Sequence, residues 1–209
     1  MSPEPTVFVI DDDAAMRSSL RRLISSVGLA VETYRSATEF LETFDAGAPG
    51  CIVLDVRMPE MSGLELQGKL RHDGHRIPVI IITAHADVAM AVGSMKSGAV
   101  DFIEKPFRPQ YLLERIQEAL AADARDREVW QQRVEVQGRL ANLTPRERQV
   151  VELVVEGHTS RRIAEHLGLS PKTIHVHRSE AMGKMNAGSV AELARLMVIA
   201  TNGGAEPES

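Results

Sequence analysis

The chain has 209 residues, 44% of them hydrophobic, which suits one or two packed domains, and no apolar run approaches the length of a membrane span. Its formal charge is −5, and the acid is concentrated early: residues 1–123 hold 12 basic and 18 acidic side chains, residues 124–209 hold 12 and 11. A polybasic protein is therefore excluded, and any nucleic-acid interface must come from arrangement rather than bulk charge.

Residues 6–122 read as five strand-and-helix units. Val7-Phe8-Val9-Ile10 is an apolar strand followed by Asp11-Asp12-Asp13. Residues 14–27 set Leu20, Leu23, Ile24 and Val27 at helical spacing, and Gly28 stops them. Val31-Glu32-Thr33-Tyr34 is a short strand. Ser36-Ala37-Thr38-Glu39 reads as a capping box for a helix ending near Gly47. Cys51-Ile52-Val53-Leu54 leads into Asp55 and the loop Val56-Arg57-Met58-Pro59, and Ser62-Gly63-Leu64-Glu65 caps a helix ended by Gly74. Val79-Ile80-Ile81-Ile82, without polar alternation, fits a strand covered on both faces and runs into Thr83. A helix over 87–96 stops near Gly98. Val100-Asp101-Phe102-Ile103-Glu104 precedes Lys105-Pro106, and Pro109 opens a fifth helix with Leu112, Leu113, Ile116 and Leu120. This alternation predicts an α/β domain with a doubly wound parallel sheet.

Residues 123–142 read as a mostly helical linker, either a contact stripe around Trp130 and Val134 or a solvated spacer. Residues 143–200 carry four helix signals. Thr144-Pro145-Arg146-Glu147 is a capping box, Gly157 and Gly168 are stops, Thr159 caps residues 160–167, and Ser170-Pro171 opens residues 172–185. A fourth helix covers 190–200, and 201–209 reads as a disordered tail. Two short helices, a turn and a basic third helix follow helix-turn-helix order. On the third, Lys172, Thr173, His175 and Val176 lie where base edges would be met. Ser170 and its free N–H groups suit a phosphate, and Arg161, Arg162 and Arg178 suit the backbone. A small bundle with a solvated basic face remains open on charge alone. A metal site at His175 and His177 is disfavoured, since residues two apart point to different faces of a helix.

In the first domain an acid pair, Asp55, Thr83 and Lys105 each end a different strand, and such ends converge on one crevice. Carboxylates, a hydroxyl and an ammonium gathered there point to Mg2+-assisted phosphoryl chemistry on an aspartate. Asp11, Asp12, Asp55 and a carbonyl of the following loop are the candidate metal donors. A phosphohydrolase with an aspartyl nucleophile is the rival. Such enzymes usually place a second acid two residues on, where this chain has Arg57. Arg57 and His85 would flank a water path to Asp55.

The pieces VFVIDDD, CIVLDVRMPEMSGLEL, VIIITAH and GAVDFIEKPF resemble the receiver domain of two-component response regulators, and LTPRERQVVELVVEGHTSRRIAEHLGLSPKTIHVHRSEAMGKM resembles the LuxR-type helix-turn-helix. Together they resemble the NarL/FixJ subfamily, FixJ-like members above all. The resemblance implies a flavodoxin-like strand order 2-1-3-4-5 in residues 1–122 and an all-α four-helix DNA-binding domain in 143–200. It implies that Asp55 accepts phosphate from a sensor histidine kinase, with Mg2+ at Asp11, Asp12, Asp55 and the Arg57 carbonyl. Thr83 and Lys105 would hold the phosphoryl oxygens, Lys105-Pro106 would be cis, and Phe102 would turn inward as Thr83 moves. It further implies no turnover enzyme but a phosphorylation-dependent regulator, with promoter DNA, RNA polymerase and a second copy of itself as partners. No membrane partner is expected. One cysteine, Cys51, and no signal-peptide pattern in residues 1–5 add the expectation of a cytoplasmic protein.

Overall fold

The computed structural model describes residues 4–85 and 87–201. The expected tail, 202–209, lies outside the described residues. Two compact units divide the chain, residues 1–126 and 127–209.

The first unit is built on five parallel strands: β1 (Thr6–Ile10), β2 (Ala30–Tyr34), β3 (Gly50–Asp55), β4 (Val79–Thr83) and β5 (Asp101–Glu104), in the order β2-β1-β3-β4-β5. Strand order reverses between β1 and β3, the switch point where open α/β sheets place their crevice. The helices are α1 (Ala14–Ser25), α2 (Ala37–Thr43), α3 (Gly63–His72), α4 (Val88–Lys96) and α5 (Pro109–Ala141).

Period-two alternation divides the core. Val7, Val9, Val53, Ile80 and Ile82 pack with Leu20, Ile24, Leu112 and Ile116 of α1 and α5. Phe8, Ile10, Ile52, Leu54 and Ile81 face the other way, onto Phe40, Leu66 and Leu70 of α2 and α3. Every residue of β3 and β4 is buried. The apolar runs read from the sequence are therefore two-faced core strands.

Two expectations need correction. Helix α2 ends at Thr43, not near Gly47. Phe44 leaves the helix with ψ 120° and sets its ring against Phe40 and Phe8, centroids 4.7 and 6.2 Å away. Asp45 then turns the chain by accepting the Gly47 N–H at 2.8 Å. Burying an aromatic ring outweighs one further helical turn. The capping box at Ser36 is only half formed: Ser36 Oγ accepts the Glu39 N–H, but the Glu39 carboxylate takes the Arg35 N–H at 2.7 Å. The box at Ser62 is complete.

Helix α5 covers 33 residues, and those from 127 onward belong to the second unit. The residues read as a mostly helical linker are thus its second half, and Trp130 and Val134 stand exposed on it.

The second unit holds α6 (Pro145–Val155), α7 (Ser160–Leu167), α8 (Pro171–Met185) and α9 (Val190–Thr201). The Thr144–Glu147 capping box is reciprocal, Thr159 and Ser170 cap as expected, and Gly168 takes φ 65°. That left-handed residue makes the α7–α8 turn, and a side chain there would be strained. Val150, Val154, Ile163, Ile174, Ala181, Met185, Leu193 and Leu196 form the core, joined by Val136 and Leu140 from the end of α5.

Gly63 is a test of how tightly the β3–α3 loop is built. A Cβ there would stand 2.1 Å from the Asp55 carbonyl oxygen. Gly63→Ala should lower stability by about 1–3 kcal/mol, the usual range for overpacking, read as a reduced urea midpoint; an unchanged midpoint would show that the loop yields freely.

Candidate functional site

Register alone assembles the first site. Ile10 lies level with Leu54, Asp55 with Ile82, and Thr83 with Glu104, so the residues ending β1, β3, β4 and β5 share one edge. Lys105 Nζ donates to Asp11 Oδ2 at 2.8 Å and to Asp55 Oδ1 at 2.7 Å. Asp11 is 1% exposed and Asp55 6%. The remaining carboxylate oxygens accept backbone groups: Asp13 N–H on Asp11 Oδ1 at 2.9 Å, and Arg57 N–H on Asp55 Oδ2 at 2.7 Å. The peptide bond between Lys105 and Pro106 is cis.

Burial pushes the Asp11 carboxyl above its ordinary 3.8, although Lys105 pulls the other way. Burial also works against the Lys105 ammonium, but its bonds to Asp11 and Asp55 outweigh that, and its pKa lies above 10.5. One ammonium thus stands against two buried acids.

Thr83 is buried at the end of β4, and its Oγ accepts the His85 N–H at 3.3 Å, leaving the hydroxyl proton to donate. Phe102 is half-buried against the α2–α3 face of the core. The side chains of Asp12, Arg57 and His85 are exposed. The structure therefore brings Asp11, Asp55 and Lys105 into contact, and leaves the Asp12 carboxylate facing solvent. Among the described residues, no three His, Cys, Asp or Glu side chains stand together as a ready-made metal site. The donor set nevertheless fits Mg2+, which takes one or two carboxylates and completes its shell with water. The surplus buried negative charge at Asp11 and Asp55 is what such an ion would relieve.

Sequence reasoning passed over Arg17. Its Nη1 donates to the carbonyls of Asp11 and Asp12 at 2.7 and 2.9 Å and so fixes the loop after β1. The signal was present: a cation near the first turn of a helix opposes the macrodipole and calls for a specific partner.

In the second unit Lys172, His175 and Val176 are exposed on α8, Arg161 and Arg162 are exposed on α7, and Arg178 is half-buried. Ser170 Oγ accepts the Thr173 N–H at 3.1 Å and shares a hydrogen bond with Thr173 Oγ1 at 2.8 Å. These two hydroxyls hold the helix start. Arg161 pairs with Glu165 at 3.4 Å, both well exposed, an interaction worth little. Lys184, also a basic residue of this helix, is engaged elsewhere: its Nζ sits 2.8 and 2.7 Å from the two carboxylate oxygens of Glu147.

Over residues 7–117 the chain matches the family "Response regulator receiver domain", and over 141–197 "Bacterial regulatory proteins, luxR family". The chain belongs to the two-component response regulators with a LuxR-type helix-turn-helix. Among relatives of this regulator, the transcriptional regulatory protein FixJ of Azorhizobium caulinodans is 47% identical over 197 residues, 93% of this chain and 92% of that one. Response regulator protein TmoT of Ectopseudomonas mendocina is 42% identical over 193 residues, 92% and 88% of the two chains. The structure of response regulator StyR is similar with TM-score 0.87 and 43% identity, covering 93% of this chain and 98% of that one. Full-length FixJ from B. japonicum gives 0.57 at 40% identity, over 95% and 98%. The regulator is thus a DNA-binding transcription regulator controlled through a receiver. No helix among its described residues is long and apolar enough to cross a membrane.

The Glu147–Lys184 pair has a pH signature. The Lys184 ammonium, with the Thr144 N–H, holds the Glu147 carboxyl below its ordinary 4.5. The unfolded chain therefore binds this proton first as pH falls. The pair's stabilisation is complete above about 4.5 and disappears as pH drops through the lower folded value. Urea melts of wild type and Glu147→Gln should differ most at neutral pH and converge in acid; a constant gap across that range would count against the pair.

Proposed function

We propose that Asp55 accepts a phosphoryl group from the phosphohistidine of a sensor kinase, and that this change controls promoter binding by residues 143–200. The observation that carries the reading is the Lys105 ammonium held between Asp11 and Asp55 at the switch point of the sheet. An Asp55 carboxylate oxygen forms a bond to phosphorus as the phosphorus–nitrogen bond breaks, and the imidazole nitrogen keeps the electron pair. Lys105 moves from Asp55 Oδ1 to a phosphoryl oxygen, and the Thr83 hydroxyl donates to another. Asp11, Asp12, Asp55 and the Arg57 carbonyl are the residues to hold Mg2+, whose charge offsets the anionic oxygens. Transfer and later hydrolysis are self-catalysed at one residue, without turnover of a separate substrate.

The domain limits that go with this reading are 1–122 for the phosphoacceptor, 123–142 for the helical linker and 143–200 for DNA binding. Phosphorylated copies pair, and two α8 helices enter successive major grooves about one DNA turn apart. Lys172, His175 and Val176 meet base edges, helped by Thr173; Arg161, Arg162, Arg178 and the α8 N-terminus at Ser170 take phosphates. The regulator then acts as an activator, in contact with RNA polymerase, in the cytoplasm.

Asp55→Asn should fold normally yet gain no phosphoryl mass from acetyl phosphate and Mg2+, and its DNA affinity should not respond to the donor. A mass gain in that variant would remove Asp55 as the acceptor. Lys172→Ala should weaken promoter binding by about 1–3 kcal/mol and relax the preference at the base pair it meets. Unchanged affinity with unchanged preference would take Lys172 out of the interface.

A further inference from the structure

Three consecutive carbonyls in the loop after β1, those of Asp11, Asp12 and Asp13, all accept from Arg17. Its Nη1 donates to the first two at 2.7 and 2.9 Å, and its backbone N–H to the third at 3.0 Å. Only the last bond follows from helix geometry, since the carbonyl of the cap residue Asp13 accepts the first bond of α1. The side-chain bonds have no such origin. A cation in the opening turn runs against the macrodipole, and an arginine held in one geometry gives up rotamer freedom.

The two leading acids of the loop depend on Arg17 to different degrees. Asp11 is fixed by its own carboxylate, which takes Lys105 on Oδ2 and the Asp13 N–H on Oδ1. The Asp12 carboxylate is exposed, and among the described residues no hydrogen bond or ion pair holds it. Its reach is therefore set by the backbone that carries it. Arg17 ties that backbone at Asp12 and at the residue on either side.

We propose that Arg17 is a positioning residue for Mg2+, acting through Asp12: by fixing the Asp11 and Asp12 carbonyls it sets where the Asp12 carboxylate can reach. The proposal rests on Asp11, Asp12 and Asp55 being the Mg2+ donors. Mg2+ tolerates little departure from octahedral geometry, so a donor placed in advance binds it better. Charge and position act with opposite sign. A guanidinium beside a cation site repels the ion, so by charge alone Mg2+ would bind more tightly once Arg17 is replaced. By position it binds less tightly, and outer residues that orient metal ligands are commonly worth about 10–100-fold in affinity.

The test is a titration of Mg2+ into the full-length protein without phosphodonor, followed by calorimetry and by the amide shifts of residues 11–13 and 55–57. Arg17→Met keeps the apolar stem and the helix propensity, and should raise the Mg2+ Kd about tenfold. Arg17→Lys, whose single nitrogen can donate to both carbonyls, should recover most of the loss. With acetyl phosphate added, the Mg2+ concentration for half-maximal labelling should rise by the same factor while the rate at saturating Mg2+ is unchanged. General loosening of the fold does not produce that split. Unchanged or tighter Mg2+ binding by Arg17→Met would overturn the proposal. Arg17→Gln, neutral and a shorter donor, reads the same quantity if the methionine variant melts below the assay temperature. Absence of saturable binding by the wild type would overturn the metal reading along with this one, whereas wild-type binding with an unmoved variant removes Arg17 alone.

Discussion

One ammonium between two buried carboxylates is the interaction on which the receiver site rests. Asp11, Asp55 and Lys105 lie at the ends of three different strands, so their meeting at 2.7–2.8 Å requires the register of β1, β3, β4 and β5 to hold along the whole edge. Burial strengthens each attraction and also makes an unmatched charge costly. Burial holds the Asp11 carboxyl above its ordinary pKa although Lys105 pulls it down. In the proposed chemistry Lys105 is the group that would pass from Asp55 to a newly bound anion.

Much of this was legible because the governing signals are local. Apolar runs without alternation fixed β3 and β4, and the turn residues Gly28, Gly74, Gly98, Gly157 and Gly168 all adopt positive φ where helices stop. The capping boxes at Ser62 and Thr144 needed only four residues each. The misreadings share a different cause: a local pattern met a long-range partner. Phe44 was drawn out of α2 by Phe8, 36 positions away in sequence, and that packing is invisible to helical periodicity. Lys184 looked like one more basic residue on α8, yet Glu147 of α6 claims it. Arg17 is a local case: it binds backbone carbonyls five and six positions back, and only its place near the start of α1 hinted at such a partner.

The same distinction sharpens the DNA-binding unit. Its nearly balanced charge gave weak support for nucleic acid, and pairing removes Lys184 from the free cations. What remains is spatially sorted: Lys172 and His175 are exposed near the start of α8, with Arg161 and Arg162 on α7. Ser170 and Thr173 spend their hydroxyls on each other and on the helix start, so they shape the entry of α8 more than they read bases. Glu147, by capping α6 and holding Lys184, joins the first helix of the unit to the end of α8 with one carboxylate. Orientation of the basic face is thereby a property of the core side, not of the surface.

The proposed switch can be followed through the same register. Paired residues of a parallel ladder point to one face, so Ile81, Thr83, Phe102 and Glu104 share a side of the sheet, with Thr83 and Phe102 as diagonal neighbours. Phe102 is half-buried there, its ring neither fully packed nor free. Asp101 restrains the start of the strand, accepting the Phe102 N–H at 2.8 Å and the Tyr111 hydroxyl at 2.6 Å. If the Thr83 hydroxyl is drawn toward a phosphoryl group on Asp55, space opens beside Phe102 and burial of its ring becomes favourable. The ring then moves while Asp101 and Tyr111 hold the backbone of β5 in place. In the proposed switch a change of charge at one aspartate would become a change of exposed apolar surface near α4, where Val88, Val92 and Met95 stand exposed.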